Sequence, residues 1–377
     1  MTMRRSLTYA PALARRGSPI LPALLAFLAV LATAGNVRAG STTLQEEETR
    51  TVKVDRESKI YVKNARGKTI IVGRKDARDV SIRIAKFVRA RDAETARRWM
   101  QDLEYTVETD GDEISVVLNQ PDKTFDSGNF WSFITQFKDR AYIDCTVEVP
   151  AAFDAKVSAT SGDVQITSID GSVDLAGSSG DVLLRTIGGG ATAELSSGDL
   201  DADGVGGDFA LVMSSGDAIV REIGGSATIR GTSGDVELFD IGGAATAELS
   251  SGDLLVEGCR GAVDVRTHSG DISIADAAGA VEASATSGDI EAGLSFNGPT
   301  EHRIKSSSGS VSVTFPAERK AGFVLEVNTN AGSIEGNLEI KLDVISRKAL
   351  KGVVGAGEGR LDIETASGDI RITQVGK

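Results

Sequence analysis

The chain has 377 residues, of which 41% are hydrophobic and 43 are glycine, and its formal net charge is −13 at pH 7. So large an acidic excess argues against nucleic acid and anionic lipid as electrostatic partners. The apolar content excludes a largely disordered chain, and 2 cysteines are too few for a disulfide framework.

The first 39 residues have the layout of a secretory signal peptide. Basic residues precede an apolar run over residues 20–31, and small residues follow it, with Ala34 and Ala39 as candidate cleavage sites. An uncleaved membrane anchor is the less favoured alternative, because a helix needs about 20 apolar residues to span a bilayer. We therefore predict that residues 1–39 are removed and that the mature chain has no transmembrane span. We expect the exported protein in the periplasm, at the cell surface or outside the cell.

Residues 40–150 predict a small N-terminal cap made of strands and one helix. The helix is predicted at about residues 92–103, where Ala93, Ala96, Trp99, Met100 and Leu103 share one face. The strand-like runs are Lys59–Val62, Thr69–Val72, Val80–Ala85, Glu113–Leu118 and Tyr142–Val149.

The tripeptide Ser-Gly-Asp recurs every 18 residues, starting at Ser161, Ser179, Ser197, Ser215, Ser233, Ser251, Ser269 and Ser287. A second column of glycines lies ten residues after each serine: Gly171, Gly189, Gly207, Gly225, Gly243, Gly261 and Gly279, closed by Asn297. Asparagine is the usual substitute for glycine at positive φ, so we expect positive φ along this second column.

Apolar residues alternate with polar ones between these two columns, which predicts strands. Each unit is thus strand, glycine turn, strand and Ser-Gly-Asp turn. One unit cannot bury its apolar face, but stacked units can, at a spacing of about 4.8 Å. We therefore predict an all-β fold, a single-stranded β-solenoid (β-helix) of 18-residue coils over residues 151–377. We favour two facing sheets, leave a short third side open, and expect irregular C-terminal coils at Ser308, Ala331 and Ser367.

Four sequence stretches carry a resemblance to a known family. They are GKTIIVG (residues 67–73), LEYTVETDGDEISV, VEVPAAFDAKVSATSGDV and GVVGAGEGRLDIETASGDIRI. Over about residues 50–377 the chain resembles the bacterial putative-adhesin family, a domain of unknown function built from Ser-Gly-Asp β-solenoid repeats. Lys68 departs from the Asp-like residue expected after the first turn glycine. The resemblance implies attachment to an envelope or surface ligand, either protein or polysaccharide.

The aspartates of the tripeptides form one column, which we call the aspartate ladder. Its members are Asp163, Asp181, Asp199, Asp217, Asp235, Asp253, Asp271 and Asp289. Carboxylates about 4.8 Å apart repel each other, so we expect turn N–H groups and the serine column to donate hydrogen bonds to them. The alternative is calcium between the rungs, as in calcium-binding β-rolls. Those rolls carry GGxGxD in both halves of a coil, whereas here Asp comes once per 18 residues. We therefore predict no cofactor and no metal, and keep the calcium ladder as the alternative.

A carbohydrate-active β-helix enzyme is the third alternative. General acid–base catalysis needs carboxylates in different environments, whereas the repeat gives every ladder carboxylate the same one, so we predict no catalytic residue and no enzyme. His268 and His302 sit in no ligand or nucleophile spacing, and His268 is interpreted as a surface substitution. Cys145 and Cys259 are predicted to be core residues without a disulfide between them.

An aromatic stretch between two predicted strands is the remaining signal. Phe125, Phe130, Trp131, Phe133 and Phe137 fall within 13 residues. They are predicted either to plug the apolar end of the first coil or to contact a partner.

Overall fold

The computed structural model describes residues 26–33, 37–38, 41–54, 58–119, 140–318 and 321–376. The predicted β-solenoid is confirmed, because these residues build two long, mainly parallel sheets that enclose one continuous apolar core. No helix among the described residues has the length and hydropathy needed to span a membrane.

The N-terminal part of the chain forms strands on both sheets and one helix, as predicted. The helix begins after Asp92, whose carboxylate accepts the Thr95 N–H at 2.8 Å. It buries Ala96 and Met100. The elements are β1 (Ala26–Thr33), β2 (Val37–Arg38), β3 (Ser41–Lys53), β4 (Lys59–Asn64), β5 (Thr69–Arg74), β6 (Asp79–Ala90), α1 (Ala93–Asp102), β7 (Glu104–Asp110), β8 (Glu113–Asn119) and β9 (Arg140–Pro150).

The regular coils alternate between the two sheets. Strands that follow a Ser-Gly-Asp turn lie in sheet 1, and strands that follow a glycine turn lie in sheet 2. The strands are β10 (Asp154–Ala159), β11 (Val164–Ile169), β12 (Val173–Gly177), β13 (Val182–Ile187), β14 (Ala191–Leu195), β15 (Leu200–Val205), β16 (Phe209–Met213), β17 (Ala218–Ile223), β18 (Ala227–Ser233), β19 (Val236–Ile241), β20 (Ala245–Ser251), β21 (Leu254–Cys259), β22 (Val263–Ser269), β23 (Ile272–Ala277), β24 (Val281–Ser287) and β25 (Ile290–Leu294).

The irregular C-terminal coils continue both sheets and add an antiparallel hairpin. The strands are β26 (Glu301–Ser308), β27 (Val311–Pro316), β28 (Phe323–Ala331), β29 (Ile334–Gly336), β30 (Lys341–Ile345), β31 (Ala349–Val354), β32 (Gly359–Ser367) and β33 (Ile370–Val375).

Pairing between coils is parallel and in register, so residues 18 apart stack on each other. Val164 pairs with Val182, and Val182 pairs with Leu200. The predicted inward columns are buried; Val236, for example, is 0% exposed. Apolar side chains thus stack along the whole length of the solenoid.

The column of mid-repeat glycines does not adopt positive φ, so that expectation was wrong. These glycines are needed for close backbone approach, since a Cβ on Gly189 would lie 2.7 Å from the Gly171 carbonyl oxygen. Positive φ occurs instead at the glycine of each Ser-Gly-Asp turn. Gly234 has φ +113°, and a Cβ there would lie 1.8 Å from the Gly216 carbonyl oxygen.

A second column with positive φ lies inside the strands of sheet 1. It contains Ser168, Thr186, Gly204, Glu222, Asp240, Gly258 and Asp276, with φ between 52° and 76°. The pairing of β11 with β13 passes over Ser168: Thr167 pairs with Arg185, and the next pair is Ile169 with Ile187. The left-handed residue therefore reverses the in-out alternation and turns the following residue inward, which explains why the Ile169 column, including Cys259, is buried.

Replacing Glu222 by glycine is expected to raise the free energy of unfolding by about 0.5–1 kcal/mol. A left-handed conformation costs a non-glycine residue about 1–2 kcal/mol, and the extra chain entropy of glycine offsets about half of that gain. Glu237→Gly on β19 is the control, since it gains no such relief and should be destabilising. Urea unfolding measures both, and equal destabilisation of the two variants would contradict the strain at Glu222.

Both ends of the solenoid interleave coils out of chain order. At the N-terminal end, β4 and β5 lie between the coil of β8 and β9 and the coil of β10 and β11. At the C-terminal end, β32 and β33 lie between the coil of β26 and β27 and the coil of β28 and β29. The last strands of the chain are therefore paired on both sides.

Candidate functional site: the aspartate ladder

The carboxylates of the aspartate ladder form a repeated hydrogen bond between coils. Each aspartate after Asp163 donates its backbone N–H to the Oδ1 of the aspartate one coil earlier. The donor–acceptor distances are 3.3 Å for Asp181–Asp163, 3.1 Å for Asp199–Asp181, 2.9 Å for Asp217–Asp199, Asp235–Asp217 and Asp253–Asp235, and 2.8 Å for Asp271–Asp253 and Asp289–Asp271.

The direction of the neighbouring backbone bonds explains why the turn uses aspartate. Gly162 N–H donates to the Ser179 carbonyl and Val164 N–H donates to the Asp181 carbonyl, both in the next coil. The Asp181 N–H donates in the opposite direction, to the previous coil, where the Asp163 carboxylate accepts it. The side chain thus satisfies a backbone donor of the turn, as a folded chain requires. The predicted role of turn N–H groups matches this geometry.

The ladder extends beyond the regular coils at both ends. Lys68 N–H donates to Asp144 Oδ1 at 2.7 Å, and Ser310 N–H donates to Asp289 Oδ1 at 2.7 Å. The register places Lys68 between Asp144 and Asp163, so a positive charge stands where an Asp-like residue was expected. Asp144 was missed from the sequence because no Ser-Gly-Asp motif precedes it.

A serine side chain donates at the far end of the ladder, but it is not one of the predicted serine column, because Ser333 stands in the aspartate position of its turn. There the Ser333 N–H and Oγ–H both donate to Asp369 Oδ1, at 2.7 and 2.8 Å. These two hydrogen bonds, the backbone one first, lower the pKa of the Asp369 carboxyl. At the ladder carboxylates from Asp163 to Asp289, the hydrogen-bond donor is a backbone N–H of the next coil.

Replacing Asp235 by alanine is expected to lower the free energy of unfolding by about 1–2 kcal/mol, because the Asp253 N–H loses its acceptor. Glu237→Ala, on the outer face of the following strand, is the control and should change stability by less than about 0.5 kcal/mol.

A chelator should leave the melting temperature of the wild-type protein unchanged. A large drop that added calcium reverses would favour the calcium ladder instead.

The outer faces of both sheets carry ion pairs that link successive coils. On sheet 2, Lys156 bonds Asp174 at 2.8 Å and Lys305 bonds Glu364 at 2.9 Å. On sheet 1, Asp201 accepts from Arg185 and, at 3.1 Å, from Arg221. The hydrogen bonds from Arg185 are the main cause of the lowered pKa of Asp201. Exposed pairs of this kind add little stability, so the two faces are best described as long, regular polar surfaces.

The remaining predicted residues are not brought together into one site. His268 is exposed, as predicted, and Cys145 and Cys259 are buried and unpaired. Burial raises the pKa of the Cys145 thiol to about 12. His302, which the repeat pattern did not place, is buried. The aromatic stretch from Phe125 to Phe137 lies outside the described residues, and both interpretations of it stay predictions.

The described residues contain no group of three or more His, Cys, Asp or Glu side chains that could hold a metal ion. The ladder carboxylates are arranged in a line, and one oxygen of each accepts a backbone hydrogen bond. Chemically, this arrangement can align and hold successive coils.

Comparison with solved structures finds proteins described as cell adhesion, adhesin or lipid binding proteins. A putative cell adhesion protein from Clostridium sporogenes is 10% identical, with 88% of this chain and 100% of that chain covered and a TM-score of 0.22. A putative adhesin from Parabacteroides merdae is 9% identical, with 88% and 96% covered and a TM-score of 0.28. A putative lipid binding protein from Parabacteroides distasonis is 11% identical, with 88% and 97% covered and a TM-score of 0.28. Such low identities and TM-scores support no inference about function.

No curated protein matches the chain significantly. A family model does match the repeat region. The model described as Toastrack DUF4097 matches two overlapping segments, residues 221–297 and 251–373. These segments contain the Ser-Gly-Asp repeats from Ser233 onward and the closing motif of the resemblance, and the resemblance is confirmed. Residues 221–373 of the chain thus match the Toastrack DUF4097 family model.

Proposed function

We propose that this protein is an exported, non-enzymatic β-solenoid that serves adhesion or scaffolding in the cell envelope. The observation that carries the proposal is the aspartate ladder, whose carboxylates repeat one backbone contact from Asp163 to Asp289. The most conspicuous polar groups of the chain are thus used to align coils. The extended outer faces of the two sheets are what remains for a ligand.

The chemistry of the ladder supports a binding role over a catalytic one. A general acid and a general base need different pKa values, which different surroundings supply. The ladder gives its carboxylates the same surroundings, one coil after another. The ligand that we propose is an envelope or surface component, either a protein or a polysaccharide.

Export is the second part of the proposal, and it rests on the sequence of residues 1–39. The basic start, the apolar run and the small residues before Ala34 and Ala39 favour cleavage and release of the mature chain. Among the described residues, no helix has the length and hydropathy of a membrane span.

Cell fractionation combined with N-terminal sequencing tests export. We expect the full chain, produced in a bacterial host, to yield an envelope or extracellular product that begins after Ala34 or Ala39. An uncleaved product confined to the cytoplasm would contradict export.

Binding and catalysis are tested on the same purified product. We expect saturable binding to an isolated envelope fraction or to an envelope polysaccharide, without release of reducing ends or unsaturated sugars. Turnover of an acidic polysaccharide would contradict the non-enzymatic assignment.

A further inference from the structure

Exposed apolar side chains are concentrated at the C-terminal end of the solenoid. The described part of the chain exposes five large apolar side chains, and four of them lie at this end: Leu342 at 44%, Val344 at 49%, Ile345 at 70% and Val375 at 48%. The fifth, Val212, lies in the middle of sheet 2 and is 52% exposed. Soluble chains tolerate single residues of this kind, but three of them on one fully exposed strand indicate a contact surface.

The same end presents unpaired strand edges. β30 is the last strand of sheet 2, pairs on one side with β31, and is exposed along its whole length. β29 is the last strand of sheet 1 at this end and pairs on one side with β33 over three residues. Unpaired edges with apolar side chains favour association with another chain.

The N-terminal end differs in sheet 2. Its last strand in sheet 2, β7, carries the exposed charged residues Glu104, Glu108 and Asp110. The helix α1 packs against β3 and β6 of sheet 1. Charged edge residues and covering helices are the usual protection against edge-to-edge association. β30 combines two exposed charged residues, Lys341 and Asp343, with three exposed apolar ones, so its edge is only partly protected.

The charges at the C-terminal end indicate what can cover it. Residues 335–348 contain three acidic residues and three basic ones, whereas the chain as a whole carries −13. They are Glu335, Glu339, Asp343, Lys341, Arg347 and Lys348. A neutral end offers no net attraction to anionic lipid or nucleic acid, while two such ends can meet without net repulsion.

We propose that two copies of this chain associate tail to tail through the C-terminal end formed by β29, β30 and Val375. A two-fold contact places the same surface on both partners, so that each apolar cluster covers the other and the assembly closes as a dimer. Burial of the four exposed side chains supplies the driving force, which scales with the apolar area removed from water. This proposal does not depend on export or on the ligand.

Sedimentation equilibrium of the full chain, together with a double variant, Leu342→Lys with Ile345→Lys, tests the proposal. We expect the wild-type protein to approach twice its monomer mass of 39.3 kDa with rising concentration. The double variant should dissociate at least ten-fold more readily, because it places two pairs of lysines face to face. Its melting temperature, measured below the dissociation constant, should match that of the wild type, since both side chains are already exposed.

Val212→Lys is the matched control, because it adds a lysine at an equally exposed apolar position away from the C-terminal end. It should dimerise like the wild type. The proposal is overturned by a wild-type protein that stays monomeric at every concentration, by equal effects of the control and the double variant, or by open-ended polymers, which require a head-to-tail contact. Binding of monomers to phosphatidylcholine vesicles that the double variant abolishes would overturn it in favour of a membrane contact.

Discussion

Replacing Phe209 by alanine is expected to lower the free energy of unfolding by about 3–5 kcal/mol. Phe209 is 1% exposed, and its neighbours in the stack are Ala191 on one side and Ala227 on the other. The ring fills space that two small side chains leave open in adjacent coils. Those alanines cannot expand into the cavity that the substitution creates, so the loss should fall at the upper part of the range for a buried phenylalanine.

Urea unfolding followed by far-ultraviolet circular dichroism measures this loss. Val212→Ala, on the same strand but with its side chain 52% exposed, is the control and should change stability by less than about 0.5 kcal/mol. If Phe209→Ala lowered the free energy of unfolding by less than about 1.5 kcal/mol, the adjacent coils would have to move together and fill the cavity, which would contradict the rigid stacking expected here.

The regular coils could be predicted because two simple periods coincide in them. Strand alternation decides which residues face inward, and the repeat of 18 residues decides which residues stack. Val164, Val182 and Val236 therefore had only one arrangement in which all of them are buried. Strand alternation with Ile143 and Val147 placed Cys145 in the core, and the apolar column of the repeat placed Cys259 there.

The second column with positive φ could not be predicted, because its residues have no common chemical feature. Ser168, Glu222 and Asp276 are polar residues of the kind found on any outer strand face, and only Gly204 and Gly258 hint at an unusual backbone. The mid-repeat glycines led us to expect positive φ. They are required instead because the backbones of adjacent coils approach each other closely there. Steric contact between coils is a tertiary property that a single sequence does not display.

The interleaving of the terminal coils was also beyond sequence reasoning. The repeat period shows that β32 and β33 form a coil, but it does not show which coil lies next to it. That choice depends on long-range pairing, here of β32 with both β26 and β28. Asp144 and Lys68 join the aspartate ladder for the same reason, since the pairing of β9 with β5 brings them into line.

A fall in pH from about 6.5 to about 4 is expected to remove roughly 3 kcal/mol of stability through His302 alone. His302 continues the inward column of Val281 and is 1% exposed. Its Nδ1 accepts the Val281 N–H at 3.3 Å, and its ring packs edge-on against Phe296. A charged ring would be desolvated, and a proton on Nδ1 would break that hydrogen bond.

The sign follows from the two protonation equilibria. Burial lowers the pKa of His302 in the folded chain to about 4, against an ordinary value of 6.5. Above pH 6.5 the ring is neutral in both states, so its contribution is fully present. As the pH falls below 6.5 the unfolded chain binds the proton first, and the contribution is lost progressively until the folded chain titrates as well.

Urea unfolding of the wild type and of His302→Leu between pH 7 and pH 4 isolates this contribution. Asp201 and Asp369, whose carboxyl pKa values lie below the ordinary 3.8, lose their contributions to stability mainly below this pH range, and they do so equally in both proteins. The difference in unfolding free energy between the two proteins should therefore shift by about 3 kcal/mol in favour of His302→Leu as the pH falls. His268→Ser, which removes the exposed histidine, should follow the wild-type curve. Parallel curves for the wild type and His302→Leu would show that the buried ring is not held neutral by the fold.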